Sequence, residues 1–536
     1  MKLTSVDRMK QLETAAAAEG YSYAAMMAKA GKGLANVVDG RYSTSGAKAV
    51  TGLVGGGNNG GDTLVALTEL IKLGWQASAV VLVKEPQLQP YYEDLKTSGG
   101  DLYYLDQEGD SQLEKFINPA SVLLDGIVGT GFKPPLKEAT ANAMKRIARH
   151  RGQKTVVAVD CPSGVDCVTS VVSPEALTAD LTVCMEAVKE GLLSSTAFDV
   201  CGEIVTVPLG IPEKTIRQHL NQDQVIDSTS ARYLLPKRDR FGHKGTFGRL
   251  IVCGGGVNYP GAPNLAAKAA YRAGVGLVEV AIPETIHEIA ASHNLESVWT
   301  LLESEGGVIA DNAAATLLLK LSAADCLLIG PGLGEEETTH RFLNRLLFES
   351  STQDTRIGAG FVPGTARNGA GGKVKFPPLV IDADALRHIA RVDKWFEKLP
   401  SLAVLTPHPG EMAALTGLTV AEIQADRLGV ARKYSQLWKQ IVVLKGALTV
   451  IADPNGNVSV MPFASSALAK AGTGDVLAGM IASLIAQGLP SYNAAVTGVW
   501  LHAQACQVVV RGQGCENTLL AGDLIEALPT VFAGLK

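Results

Sequence analysis

Residues 49–73 read AVTGLVGGGNNGGDTLVALTELIKL, and the fold turns on this run. An apolar stretch, Ala49 to Val54, passes into Gly55-Gly56-Gly57-Asn58-Asn59-Gly60-Gly61-Asp62, after which Thr63 to Leu73 has helical character. The pattern predicts a strand, a glycine turn and a helix start. Glycines let a backbone approach a ligand without Cβ clashes, and the free amides of a helix N-terminus hold an anion such as a pyrophosphate. A glycine turn alone is weak evidence for a ligand, but two asparagines and an aspartate inside it strengthen the case.

Working outward, the first half continues to alternate apolar runs with helical stretches: ASAVVLV, SVLLD, TVVAVD and ADLTVCM. These runs lack period-two alternation, as expected for parallel strands buried on both faces and joined by crossover helices. A polar, poorly periodic segment at 212–230 separates them from a second α/β series, RLIVCGG, GLVEVAI, DCLLIG, PLVID, LAVLT and IVVLKG. Two α/β domains are therefore expected, residues 1–220 and 226–536, with no internal repeat. A Gly-, Thr- and Lys/Arg-rich stretch at 351–378 has no hydrophobic period and reads as a mobile surface insertion.

The length of 536 residues also favours two domains, and 46% hydrophobic against 19% charged residues supplies ample core. A net charge of −5 and an isoelectric point near 6.0 leave no basic field for a polyanion, so nucleic acid is not an expected partner. The opening MKLTSVDRMKQLETAAAAEG has no uninterrupted apolar region and does not read as a secretory signal, which makes the cytoplasm the expected compartment. The most apolar helical stretch, Val476 to Ala486, is too short to span a bilayer and reads as a core helix, so no membrane role is expected. Eight cysteines without a two-residue-spaced pair and nine histidines without a ligand motif disfavour structural zinc and a disulfide framework.

Three oxygen-bearing residues sit on separate strand-end loops: Asn59, Asp125 after SVLLD, and Ser163 after TVVAVD. Oxygen-only ligands suit a hard cation, although each residue alone is more often a helix cap or turn residue. Asp160, at the carboxyl end of its strand, is the candidate for proton transfer. In the second half, Ala471-Gly472-Thr473-Gly474-Asp475 runs into an apolar helix. Unpaired amides at such a helix start stabilise a transferring phosphoryl group, and Asp475 in the first turn is placed to deprotonate an attacking hydroxyl.

GGGNNGGD, the Asp125-Gly126 and Gly129-Thr130-Gly131-Phe132 segment, VAVDCPSGVD and CGEIVTVPLGIP together resemble the N-terminal domain of the bifunctional NAD(P)H-hydrate repair enzymes. The Met26-Met27-Ala28-Lys29-Ala30-Gly31 stretch matches more loosely, and its methionines read as core. The second half resembles the ribokinase-like superfamily through AGTGD, and its NAD(P)H-hydrate dehydratase branch through HKGTFGRLIVCGGGVNYPGAP, LIGPGLG, LVIDADAL, LTPHPGEMAALTG and VVLKGALTVI. The resemblance implies a Rossmann-like three-layer αβα domain followed by a ribokinase-like three-layer αβα domain.

It further implies that Asn58, Asn59, Gly60, Gly61, Asp62, Gly129, Thr130, Gly131, Phe132, Lys133, Pro134, Pro135 and Asp160 bind hydrated NADH or NADPH. Asn59, Asp125 and Ser163 would hold potassium. Ala262, Gly334, His408 and Asp475 would contact the same substrate in the second domain, and Lys445, Gly446, Ala447, Leu448, Thr449 and Gly474 an adenine nucleotide. The implied reactions are exchange of the R and S hydrates, with Asp160 as proton carrier, and ADP- or ATP-dependent dehydration with magnesium, with Asp475 as base. Two positions depart from the family pattern. Thr63 stands where glycine is usual, and Lys470-Ala471 stands where Thr-Gly is usual.

Two other functions share these residues. A sugar or hydroxymethylpyrimidine kinase would use the same GTGD site, and the PHPGE and HKGTFG blocks disfavour it. The first domain would alternatively be a non-catalytic ligand-binding module, since fold does not fix function. A homo-oligomer is expected, as large α/β enzymes often assemble symmetrically.

Overall fold

The structure is a computed structural model that describes residues 1–44, 46–105, 111–349 and 375–535. The insertion expected at 351–378 falls, up to residue 374, outside the described residues. The chain divides into two compact units, Met1–Val225 and Ile226–Lys536. The polar segment at 212–230 is not an unstructured linker, for it carries a helix, Glu213–His219, and a strand, Gln224–Val225, just before the division.

In the first unit a 7-stranded sheet runs Asp101–Tyr104, Gln76–Val81, Ala49–Val54, Val122–Gly126, Thr155–Val159, Leu181–Met185, Glu203–Val207, all parallel. Alternate strand residues serve opposite layers. Val50, Val54, Val122, Leu124 and Val157 pack with Leu34, Val38, Leu64 and Leu67 of the helices Tyr23–Tyr42 and Asn58–Lys72. Leu53, Leu123, Val156 and Ala158 pack on the other face with Leu113, Ile117, Met144 and Ile147. Helices thus cover both faces of the sheet, the three-layer αβα architecture, and this double burial removes period-two alternation from the sequence. A smaller pairing sets Lys2–Thr4 parallel to Ala187–Lys189, with Thr4 opposite Lys189.

In the second unit the strand order is Val298–Leu302, Leu277–Pro283, Arg249–Cys253, Cys326–Ile329, Leu379–Ile381, Ala403–Leu405, Ile441–Leu444, Val450–Ala452, Val458–Val460. The pairings are parallel as far as Ile441–Leu444 and antiparallel beyond it. One face packs Leu250, Val252, Leu328 and Val443 against Ala266, Ala270, Val476, Met480 and Trp500, while the alternating Ile251, Leu327, Ile329 and Val442 are buried as well. Thr473–Ala486 is the central helix, and every residue from Val476 to Ala486 is buried. Among the described residues no helix is long and apolar enough to cross a membrane.

In both sheets the chain reverses its direction of winding once. The first reversal falls between Ala49–Val54 and Val122–Gly126, the second between Arg249–Cys253 and Cys326–Ile329. Ligands of open α/β sheets bind beyond the carboxyl ends of the strands at such a point, because the loops there diverge and leave a crevice. Seven of the eight cysteines are buried and all are free, Cys515 alone being exposed.

Candidate functional site

At the first reversal a cavity of about 480 Å³ opens. Its wall includes Gly57, Asn58, Asn59 and Asp62 from the glycine turn and Gly129 to Phe132 from the loop after Val122–Gly126. Asp160, Met185 and Lys189 close it from the far strands. The helix Asn58–Lys72 starts at Gly57 without a side-chain cap, so its first amides remain for a ligand. Gly60 is required by packing, since a Cβ there would lie 2.1 Å from the Gly55 carbonyl oxygen. Lys133, Pro134 and Pro135 are exposed and do not line the cavity.

Asp160 is held by an unusual backbone, φ 65°, with its N–H donating to the Val183 carbonyl at 2.8 Å. Its Oδ1 accepts from the Met185 N–H at 2.8 Å and from the Lys189 ammonium, while Oδ2 takes no hydrogen bond from the described residues. Lys189 also donates to the Met185 carbonyl at 3.1 Å. Burial pulls the Lys189 pKa down and Asp160 pulls it up, with a net upward result. Two more carboxyls share the wall. Burial raises both Asp62 and Glu13, Asp160 adds to the rise, and Lys189 opposes it.

Of the three candidate cation ligands, Asp125 and Ser163 meet directly, and Asn59 faces Gly129, next to the Val128 that Ser163 bonds. Asp125 Oδ2 accepts from the Ser163 N–H at 2.8 Å, and Ser163 Oγ accepts from the Val128 N–H at 2.9 Å. The Asn59 side-chain amide donates to the Val159 carbonyl at 2.7 Å, which turns its Oδ1 toward Gly129, where an added Cβ would lie 2.3 Å away. Asp125 is fully buried and its Oδ1 has no partner among the described residues, an arrangement that suits a bound cation.

The second unit has a cavity of about 510 Å³ walled by His408, Lys445, Gly446, Ala447, Thr449, Thr473, Gly474 and the apolar Met461, Phe463, Leu477 and Val499. Gly472, at φ +87°, turns the chain into the Thr473–Ala486 helix without a side-chain cap, and Thr473 Oγ1 donates to the Leu468 and Lys470 carbonyls at 2.9 Å each. His502 fixes the same turn by donating from Nε2 to the Thr473 carbonyl at 3.0 Å, and burial lowers its pKa to about 4. Asp475 follows in the first turn. Burial and the nearby Asp382 push its pKa up to about 8 against the pull of Lys445.

Lys445 is the hub of this site. Its ammonium lies 2.7 Å from Asp382 Oδ1 and 3.8 Å from Glu411 Oε2, and burial carries Glu411 up to about 7. The wholly buried Asp382 retains an Oδ2 without a partner among the described residues. His408 caps the helix Pro409–Thr416, its Nδ1 accepting from the Gly410 and Glu411 amides at 3.0 and 3.2 Å. It is thus a structural cap whose exposed edge also lines the cavity. Leu448, at φ 56°, is buried and lies outside the lining. Ala262 and Gly334 lie at the sheet reversal, outside the lining. Gly334 N–H donates to Asp384 Oδ2 at 2.9 Å, and Ala262 lies close against Gly332.

Residues 23–191 match the family model described as YjeF-related protein N-terminus, and residues 250–353 and 373–530 match NAD(P)H-hydrate dehydratase. The bifunctional NAD(P)H-hydrate repair enzyme of Moorella thermoacetica is 35% identical over 491 residues, spanning 90% of this chain and 87% of that protein. The chain belongs to the bifunctional NAD(P)H-hydrate repair enzyme family. The member from Coxiella burnetii is 30% identical and covers 97% of each chain. The crystal structure of an ADP/ATP-dependent NAD(P)H-hydrate dehydratase from Bacillus subtilis, co-crystallised with ATP/Mg2+, aligns with 28% identity and a TM-score of 0.47, covering 59% of this chain and 99% of that one.

Of the two departures from the usual repair-enzyme pattern, Thr63 has a local explanation and Lys470-Ala471 has none in the structure. Thr63 is wholly buried and faces the sheet, its Oγ1 donating to the Asn59 carbonyl at 2.7 Å. Room for it comes from Gly52 and Gly126 on adjacent strands, where a Cβ would approach Thr63 atoms to 2.6 and 1.9 Å. The Lys470 ammonium donates to the Asn517 carbonyl at 2.5 Å.

Sequence reading missed Lys189 and Glu13 in the first cavity and Asp382, Glu411 and His502 around the second. It also took Met26 and Met27 for core alone. Met26 is in the core, and both line the cavity.

Proposed function

We propose that residues 1–220 exchange the R and S hydrates of NADH and NADPH and that residues 226–536 dehydrate the S hydrate at the expense of ADP or ATP. The observation that carries this reading is that Thr473 and Gly474 of an uncapped helix start wall one 510 Å³ cavity together with Lys445; Asp475, next in the same turn, lies outside the lining but within the electrostatic reach of Lys445. Free amides and a cation stabilise the phosphoryl group in transfer, while Asp475 takes the proton from the hydrate's hydroxyl. From the resulting phosphate ester, phosphate then leaves with the C–O electron pair, pushed by the ring nitrogen's lone pair. Loss of a proton from the adjacent carbon restores the dihydronicotinamide.

In the first unit the hydrate's C–O bond breaks as its oxygen is protonated, and water adds to the opposite face of the ring. Asp160 Oδ2, free of donors among the described residues, is the proton carrier in both directions. The amides after Gly57 and the Gly129–Phe132 loop would hold the pyrophosphate. Asn59, Asp125 and Ser163 would hold potassium, which supplies fixed positive charge at the loop junction. In the second unit the carboxylates whose charge magnesium would balance are Asp382, Asp384, Glu411 and Asp475. Among the described residues no group of three acidic, His or Cys side chains stands close enough to hold a metal. We take the working compartment as the cytoplasm and the working form as a homo-oligomer.

The test is incubation with mixed hydrate epimers and ADP or ATP, following recovery of NADH absorbance and each epimer by chromatography. Asp475→Asn is expected to slow recovery by about 10²–10⁴-fold while leaving epimer exchange intact. A stable phosphorylated product accumulating from an ordinary kinase substrate, with no recovered absorbance, would overturn the reading.

A further inference from the structure

We propose that Lys189 is a positioning residue for epimer exchange, pinning one oxygen of Asp160 so that the other meets the substrate. The inference rests on the epimerase reading above. Lysine is almost never fully buried without a partner, yet the Lys189 side chain is 2% exposed and stands on the wall of the substrate cavity. Its two acceptors are Asp160 Oδ1 and the Met185 carbonyl, and Met185 returns its own N–H to that same Oδ1. Lys189, Met185 and Asp160 therefore form a closed ring of hydrogen bonds that fixes the carboxylate plane. A carboxylate so held presents Oδ2 in one direction, which is what a proton carrier needs when its substrate reacts on two faces.

The surroundings make the positive charge necessary. Glu13 from the helix Val6–Ala18 and Asp62 from the helix Asn58–Lys72 face the same cavity, and Cys184 and Cys161 flank the pair from the strand Leu181–Met185 and the loop after Asp160. The other cation on the wall, Lys10, is exposed. Without Lys189, three carboxyls would share one buried pocket with no buried counter-charge, and Asp160 would lose both its charge partner and its orientation. A purely structural ion pair would have no reason to join a cavity wall to the candidate proton carrier.

The experiment uses the full chain, without nucleotide, and reads exchange of separated hydrate epimers by chromatography. Lys189→Met is expected to lower kcat by about 100-fold with KM changed less than about threefold, the signature of a group that serves the reacting geometry rather than binding. Lys189→Ala leaves space beside the cavity, and ethylammonium added to it is expected to restore exchange at least about tenfold, while doing nothing for Asp160→Asn. The inference is overturned if Lys189→Met keeps kcat within about threefold of the parent, or loses activity through KM alone. Should Lys189→Met fail to fold by circular dichroism, the amine experiment decides, and absence of rescue rejects the proposal. Failure of the parent chain to exchange epimers would instead reject the epimerase reading, a result distinguishable from a Lys189 variant that works as well as the parent.

Discussion

A base with a pKa near 8 is half-protonated near pH 8 and largely protonated at neutrality, and this sets the pH behaviour of Asp475. Burial and Asp382 raise it to about 8, so its proton-accepting form grows as pH rises. The dehydratase kcat/KM is therefore expected to climb about tenfold per pH unit below 8 and level off above it. Lys445→Met removes the charge that opposes the rise, and the limb should move to higher pH; initial rates from pH 6 to 9.5 on both proteins check the direction. Asp160 and Asp475 were legible in the sequence because each follows a local signature, a strand end or a glycine-led helix start. Lys189 was not, since it lies 29 residues from Asp160 and its role comes from a fold contact with no local pattern. Asp382 and Glu411 escaped for the same reason, since Lys445 gathers them from positions 63 and 34 residues earlier.

At the scale of elements, both proposed ligand sites use a helix entered through glycine and left without a side-chain cap. A cap would occupy the amides that an anion needs. The strands read correctly from sequence are the central, doubly buried ones. Those missed include the short edge strand Asp101–Tyr104 and the hairpin strands Val450–Ala452 and Val458–Val460, whose length or polar residues hide them from an apolar-run criterion. The Asn58–Lys72 helix packs on its sheet through Thr63, for which Gly126 leaves room. Gly126→Ala would drive a methyl into Thr63 Oγ1 and is expected to cost about 1–3 kcal/mol in urea unfolding. Adding Thr63→Gly should recover part of that loss, a coupling that independent sites would not show.

Across the whole molecule, the first reversal of sheet winding places a cavity at the carboxyl ends of its strands, while the second cavity is walled by the loops after Ala403–Leu405 and Ile441–Leu444 and by the start of Thr473–Ala486, away from the second reversal. The sequence showed that there were two α/β sheets but not their strand order, because order depends on crossovers that no local run encodes. Under the proposed function the units exchange only a diffusible hydrate. An equimolar mixture of Asp160→Asn and Asp475→Asn chains is then expected to carry a mixed epimer pool to complete recovery of absorbance. Asp160→Asn alone should stall at the S fraction until uncatalysed exchange supplies more.

The distribution of sulfur offers a way to watch either half come apart. Cys515 is the lone exposed thiol, while Cys161, Cys167, Cys184 and Cys201 are shut inside the first unit and Cys253, Cys326 and Cys506 inside the second. A maleimide pulse should tag the native chain once. As denaturant rises, the masses of its tryptic peptides would then report which half admits the reagent first.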